Sequence, residues 1–189
     1  MLEIEETAIP EVRILKPRRF GDVRGWFSET FNRQALAEAG IGVDFVQDNE
    51  SLSAAPGTIR GLHFQTPGFA QTKLVRVLTG AVFDVAVDIR QGSPTCGAHV
   101  AVELTAENGH QLLVPKGFAH AFCTLLPDTR VFYKVDVYYS PAHDAGIRWD
   151  DPALAIDWPV APDKATLSDK DRQLPLLADL ANPFVYGTV

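Results

Sequence analysis

His63 and His120 are the side chains in this sequence best suited to proton chemistry, because imidazole titrates near neutral pH without help from its surroundings. They stand in Arg60-Gly-Leu-His-Phe-Gln65 and in Pro115-Lys-Gly-Phe-Ala-His-Ala-Phe122. Each ends a strand-like run, so one rigid β scaffold would hold both, either for acid–base work or for a metal. Tyr133, Val135, Val137 and Tyr139 fall on one face of a strand by period two, which would bring two phenols to the same pocket. A phenol can return a proton where a histidine removes one. Phe132 and Tyr138 read instead as core aromatics. On position alone His63 is either a core histidine or a base. Arg24, Arg60, Lys73 and Lys170 could gather around an anionic small molecule; without such a partner they are ordinary surface charge.

The elements that would hold these residues are mostly short strands. Lys73 to Leu78 and Ala81 to Arg90, joined by Thr79-Gly80, read as a hairpin. In its second arm Phe83, Val85, Val87 and Ile89 alternate with Asp84, Ala86, Asp88 and Arg90, the period of a half-buried strand. Further strands are expected at 100–104, 111–114, 120–125 and 130–139, separated by Gly, Pro and Asn turns. Two stretches read as helix. Asn32 to Gly40 has a capping residue, strong helix formers and a terminal glycine, and a shorter one begins at Ser168-Asp-Lys-Asp-Arg172. Many strands with few helices imply an all-β fold, an antiparallel sandwich or barrel.

Composition sets the outer limits. The 189 residues, 46% hydrophobic and 22% charged, suit one globular domain spanning 1–189. The net charge of −7 argues against a nucleic-acid partner, whose phosphates demand basic patches. No apolar run approaches the ~20 residues of a membrane helix. The acidic start, Met1-Leu-Glu-Ile-Glu-Glu-Thr, lacks the pattern of a signal peptide, and Cys96 and Cys123 are too few for a disulfide framework. The expectation is a cytoplasmic protein with reduced thiols.

Gly109 to His120 fits G-x5-P-x-G-x2-H, which resembles the second motif of the cupin superfamily: a strand, a Pro-Gly turn, then a strand that aims His120 into a barrel mouth. A metal-binding cupin would carry His-x-His and a carboxylate upstream. Here the stretch is His63-Phe-Gln65, with no Asp or Glu in the residues that follow, and an amide is a poor transition-metal ligand beside imidazoles. No metal is expected.

Over nearly its full length the chain resembles the dTDP-4-dehydrorhamnose 3,5-epimerases, cupin-fold enzymes of deoxysugar-nucleotide synthesis. The segments that carry the likeness include Phe20-Gly-Asp-Val-Arg24-Gly-Trp-Phe-Ser-Glu29, Phe45-Val-Gln-Asp-Asn49, Arg60 to Gln65, Lys73-Leu-Val-Arg76 and Val82 to Arg90. Pro115 to His120, Tyr138-Tyr-Ser-Pro141, Gly146-Ile-Arg-Trp149 and Leu167-Ser-Asp-Lys-Asp171 continue it. The resemblance implies a cupin-type jelly roll with a few short helices, and epimerisation of a dTDP-4-dehydro-6-deoxyhexose at C3 and C5 through enolates. No cofactor is implied. It implies a homodimer whose N-terminal segment crosses to the partner.

Residue by residue, the resemblance makes His63 the base and Asp171 its partner. Tyr133 becomes the acid on the opposite face, and Lys73 the cation near the sugar's C4 oxygen. Arg60 and His120 would hold the substrate, Arg24 and Lys170 would face the diphosphate, and Gln47, Asp48, Asn49 and Glu29 would meet the nucleoside, with Tyr139 stacking on thymine. Asp144 stands where the family usually has glutamate, which would shorten that substrate contact. Arg60 and His63 are an odd number apart, so an ideal strand would aim them at opposite faces; both reach one site only if Gly61 bends or bulges it. The competing readings are a single-site epimerase or ketoisomerase, a metal-dependent cupin enzyme, and a non-catalytic sugar-nucleotide binder.

Overall fold

The structure is a computed structural model that describes residues 2–188. Its strands form two antiparallel sheets of a cupin-type jelly roll, as expected. One sheet contains β1 (Leu2–Glu6), β2 (Arg13–Pro17), β5 (Gln47–Ser53), β7 (Lys73–Thr79), β10 (Gln111–Val114) and β12 (Thr129–Val135), ordered β1-β2-β10-β7-β12-β5. The other contains β6 (Ile59–Gln65), β8 (Ala81–Asp88), β9 (His99–Thr105), β11 (Phe118–Thr124) and β13 (Asp144–Gly146), ordered β13-β6-β11-β8-β9. A separate ribbon pairs β3 (Arg19–Asp22) with β4 (Gly25–Ser28).

Alternation along the strands builds two apolar layers. Val75, Val77 and Val131 of the first sheet meet Val82, Ala86, Phe118 and Phe122 of the second in the interior. The opposite face of the second sheet carries Leu62, Val85, Val87, Ala119 and Ala121. It is covered by Ile147, Leu154 and Phe184 from the C-terminal part of the chain. β8 is therefore buried on both faces apart from partly buried Phe83, rather than half-buried as its alternation suggests. Each side of β8 has an apolar layer against it.

The hairpin expected from residues 73–90 does not form. β7 pairs with β10 and β12, while β8 pairs with β9 and β11, so the chain changes sheets at Gly80. Gly80 has φ +81°, and a Cβ there would lie 2.2 Å from Thr129 Oγ1. That close approach explains the glycine as well as a hairpin would.

Both helices are where expected. α1 (Arg33–Glu38) is capped by Asn32, whose side chain accepts the Ala35 N–H at 3.1 Å. α2 (Asp169–Arg172) is capped by Ser168, which accepts the Asp171 N–H at 3.1 Å. The strand expected to run to Tyr139 ends at Val135, and Tyr138 is exposed rather than a core aromatic.

Candidate active site

The strand β6 carries the bulge that its sequence requires. Arg60 pairs with Phe122 and His63 with His120, so three steps along β6 oppose two along β11. The extra residue brings both Arg60 and His63 to the interior face. Gly61 makes this possible: its φ is +132°, and a Cβ there would sit 2.4 Å from Ala121 Cβ and 2.6 Å from the His120 carbonyl.

A cavity of about 420 Å³ opens on this face, within the range of small-molecule sites. The second sheet supplies Arg60, His63 and His120, the first sheet supplies Lys73 and Tyr133, and α2 supplies Lys170 and Asp171. His63 and Tyr133 thus stand on opposing sheets. Lys73 reaches across, its Nζ donating to the His63 carbonyl at 3.4 Å.

Three groups in the cavity are tuned by their surroundings. The Asp171 carboxylate is buried, with Oδ1 2.5 Å from His63 Nε2. Burial pushes its pKa up, but the His63 hydrogen bond and charge outweigh this and hold it below the usual range. With Nε2–H donating to Asp171, His63 Nδ1 is the nitrogen left to take a proton. Lys73 is pulled down to about 8 by burial, against the charges of Asp84 and Asp144. Burial raises the Tyr133 phenol, so it is neutral and able to donate at neutral pH.

His120 is held differently. Its Nε2 lies 2.8 Å from Oδ1 of Asp84, which is fully buried on β8. Asp84 Oδ2 has no hydrogen-bond partner among the described residues. Asp84 is not among the candidates named from sequence; its one signal there is a carboxylate flanked by Phe83 and Val85 in a largely apolar strand.

Tyr139, Asp144, Gln47 and Asn49 do not line the cavity themselves but form a polar group joined to it through Lys170. Tyr139 donates its hydroxyl to Asp144 Oδ2 at 2.9 Å, and Lys170 bonds the same oxygen. Gln47 and Asn49 share one face of β5, with Asn49 beside Tyr133 in register, and the Gln47 amide donates to Asn49 at 2.9 Å. Asp48 departs from the expected nucleoside contact. Strand alternation turns its side chain to the outer face, where it pairs with Lys134 at 2.9 Å. Arg24 and Glu29 do not line this cavity; Arg24 pairs with Asp22 on the exposed ribbon, and Glu29 accepts from Asn32 at 3.0 Å.

The donor set does not fit a cupin metal. Gln65 holds the second His-x-His position, and both ends of its amide are used by Ser140 and Phe69. Among the described residues no three His, Cys, Asp or Glu side chains converge.

Residues 6–179 match the family model described as dTDP-4-dehydrorhamnose 3,5-epimerase. The dTDP-4-dehydrorhamnose 3,5-epimerase of Sinorhizobium fredii is 53% identical over 188 residues, covering 98% of this chain and 94% of its own. The crystal structure of the Bacillus anthracis enzyme of that name, with TDP and PPi bound, superposes with a TM-score of 0.91 at 54% identity. It covers 93% of this chain and 99% of its own. The Legionella pneumophila dTDP-6-deoxy-D-glucose-3,5-epimerase, in complex with dTDP-4-keto-L-rhamnose, gives a TM-score of 0.94 at 45% identity. Coverage is 98% of this chain and 99% of that one.

Proposed function

The chain belongs to the dTDP-4-dehydrorhamnose 3,5-epimerase family, and from that premise we propose how its cavity performs the reaction. The protein is an isomerase that inverts C3 and C5 of dTDP-4-dehydro-6-deoxy-D-glucose, in dTDP-L-rhamnose synthesis. Both carbons flank the C4 ketone, so each proton leaves as an enolate forms. His63 Nδ1 takes the proton, and Asp171 fixes the ring and offsets the charge it gains. Lys73 is placed to neutralise the enolate oxygen, where a fixed cation in a dry site is most effective. Tyr133 then gives a proton to the opposite face of the carbon. The reaction moves protons only, so its balance needs no oxidant or reductant.

The observation that carries this reading is the His63–Asp171 pair facing Tyr133 across one cavity, with Lys73 reaching from the Tyr133 side. Around it, Arg60 and His120 hold the sugar, Lys170 meets the diphosphate, and Tyr139 stacks on thymine beside Gln47 and Asn49. The working unit is a cytoplasmic homodimer. The ribbon β3–β4 exposes Phe20, Trp26 and Phe27, an apolar surface suited to a second copy. In that assembly Arg24 and Glu29 serve the neighbouring subunit's site, which accounts for their distance from their own cavity.

Incubation with dTDP-4-dehydro-6-deoxy-D-glucose in heavy water, read by NMR at C3 and C5, tests the proposal. The wild type should incorporate deuterium at both carbons, and His63→Ala at neither. Wild-type exchange in His63→Ala would remove His63 as the base.

A further inference from the structure

Gln65 follows His63 by two residues on the same strand and points to the same face. It is buried, and its amide is bonded at both ends. Oε1 accepts the Ser140 N–H at 2.7 Å, and Nε2 donates to the Phe69 carbonyl at 3.2 Å. Ser140 lies just past the end of β12, where the chain has left the sheet and its backbone groups have no ladder to join. Two more glutamines serve that stretch. Gln47 Oε1 accepts the Tyr139 N–H at 3.0 Å, and Gln71 Nε2 donates to the Val137 carbonyl at 2.8 Å. Three amides, from β5, β6 and the loop after β6, therefore fix the backbone of residues 137–140.

The choice of side chain follows from what must be satisfied. One N–H and one C=O face Gln65, and an amide is the neutral group that accepts and donates at the same end. An ionised glutamate could only accept, and leucine would strand both backbone groups.

We propose that Gln65 is a positioning residue for nucleotide recognition, tying the strand that carries the base to the segment that carries Tyr139. The proposal rests on the reading that Tyr139 stacks on the thymine. Gln65 acts through Tyr139 and touches neither the sugar nor the base. The ring of Tyr139 and the imidazole of His63 thereby keep a fixed separation, matched to the distance between thymine and sugar. The position where a metal cupin places a histidine holds, in this chain, the nucleoside end of the site.

The test uses the full-length enzyme and Gln65→Met, which removes both hydrogen bonds at nearly constant volume. KM for the nucleotide sugar and Kd for dTDP should each rise roughly tenfold, with kcat within about twofold of wild type. In a Tyr139→Ala background the same substitution should change Kd for dTDP by less than about twofold, because its route of action is gone. Full additivity with Tyr139→Ala, or a lowered melting temperature with parental KM, overturns the positioning role. If Gln65→Met does not fold, Gln71→Met removes a single anchor and should raise KM roughly threefold with the same cancellation; parental KM there overturns the proposal. A wild type that fails to turn over the sugar nucleotide overturns the function itself, whereas an active wild type with parental Gln65→Met kinetics overturns only this inference.

Discussion

Gly61→Ala tests whether the bulge in β6 builds the site. The new Cβ would lie 2.4 Å from Ala121 Cβ and 2.6 Å from the His120 carbonyl. Ordinary carbon contacts begin at about 3.5 Å, so β6 must retreat from β11 by about 1 Å. Such a shift of a catalytic group costs on the order of 100-fold in rate. Crowding of a packed interior adds about 1–3 kcal/mol, and forcing alanine to φ +132° adds at least about 1 kcal/mol. The expected destabilisation is therefore about 2–4 kcal/mol, a fall in melting temperature on the order of 5–15 °C. Deuterium incorporation and a thermal melt on the same preparation read both effects. A variant that melts like the wild type and exchanges within threefold of its rate would refute the argument. It would mean that the strand repairs its register without needing glycine.

Two further substitutions separate the roles of the acid and the cation. Tyr133→Phe should still admit deuterium at C3 and C5, because His63 remains, but the product should keep its configuration. NMR should show inversion reduced about 10²–10⁴-fold. Lys73→Met should lower kcat about 10²–10³-fold while leaving the melting temperature at pH 7 unchanged or raised, since it removes a buried charge. The pH dependence follows from the same residue. Its pKa is about 8 when folded against 10.5 ordinarily, so the unfolded chain binds more protons between those values. Wild-type stability should therefore rise from pH 8 to 10.5, by at most about 3 kcal/mol, as kcat falls with loss of the ammonium. Melts and rates across that window should show the opposed trends in wild type and neither in Lys73→Met.

The parts of this molecule legible in sequence are those where one residue type has one physical use. Asn32 reads as a cap and is one, the short helix begins at Ser168 as expected, and Gly61 reads as a required bulge and is one. The β7–β8 connection is not legible, because a glycine between two alternating strands looks the same whether the chain reverses within a sheet or crosses to the other. Asp48 is obscured by its neighbours. Gln47 and Asn49 share a face, and the residue between them must point away, to Lys134. Asp84 is hidden in the sequence because a buried carboxylate at an alternating position looks like an exposed one until the facing sheet is in place.

The two histidines end as unequal partners in parallel arrangements. Each has its Nε2 on a carboxylate, at 2.5 Å for His63 and 2.8 Å for His120. Their access to water separates them. A base that inverts a carbon must lose each captured proton before the next cycle, and the His63 side chain is 30% exposed against 7% for His120. The carboxylates differ in the same sense. Asp171 sits at the capped start of α2 with its ionised form favoured, ready to balance an imidazolium. Asp84 shares its field with Lys73, favouring the ammonium that the proposed mechanism places at the enolate. In the proposed mechanism the His63–Asp171 pair is therefore the one suited to cycle protons, and exchanging its role with His120–Asp84 would leave the base sealed from the solvent it must trade with.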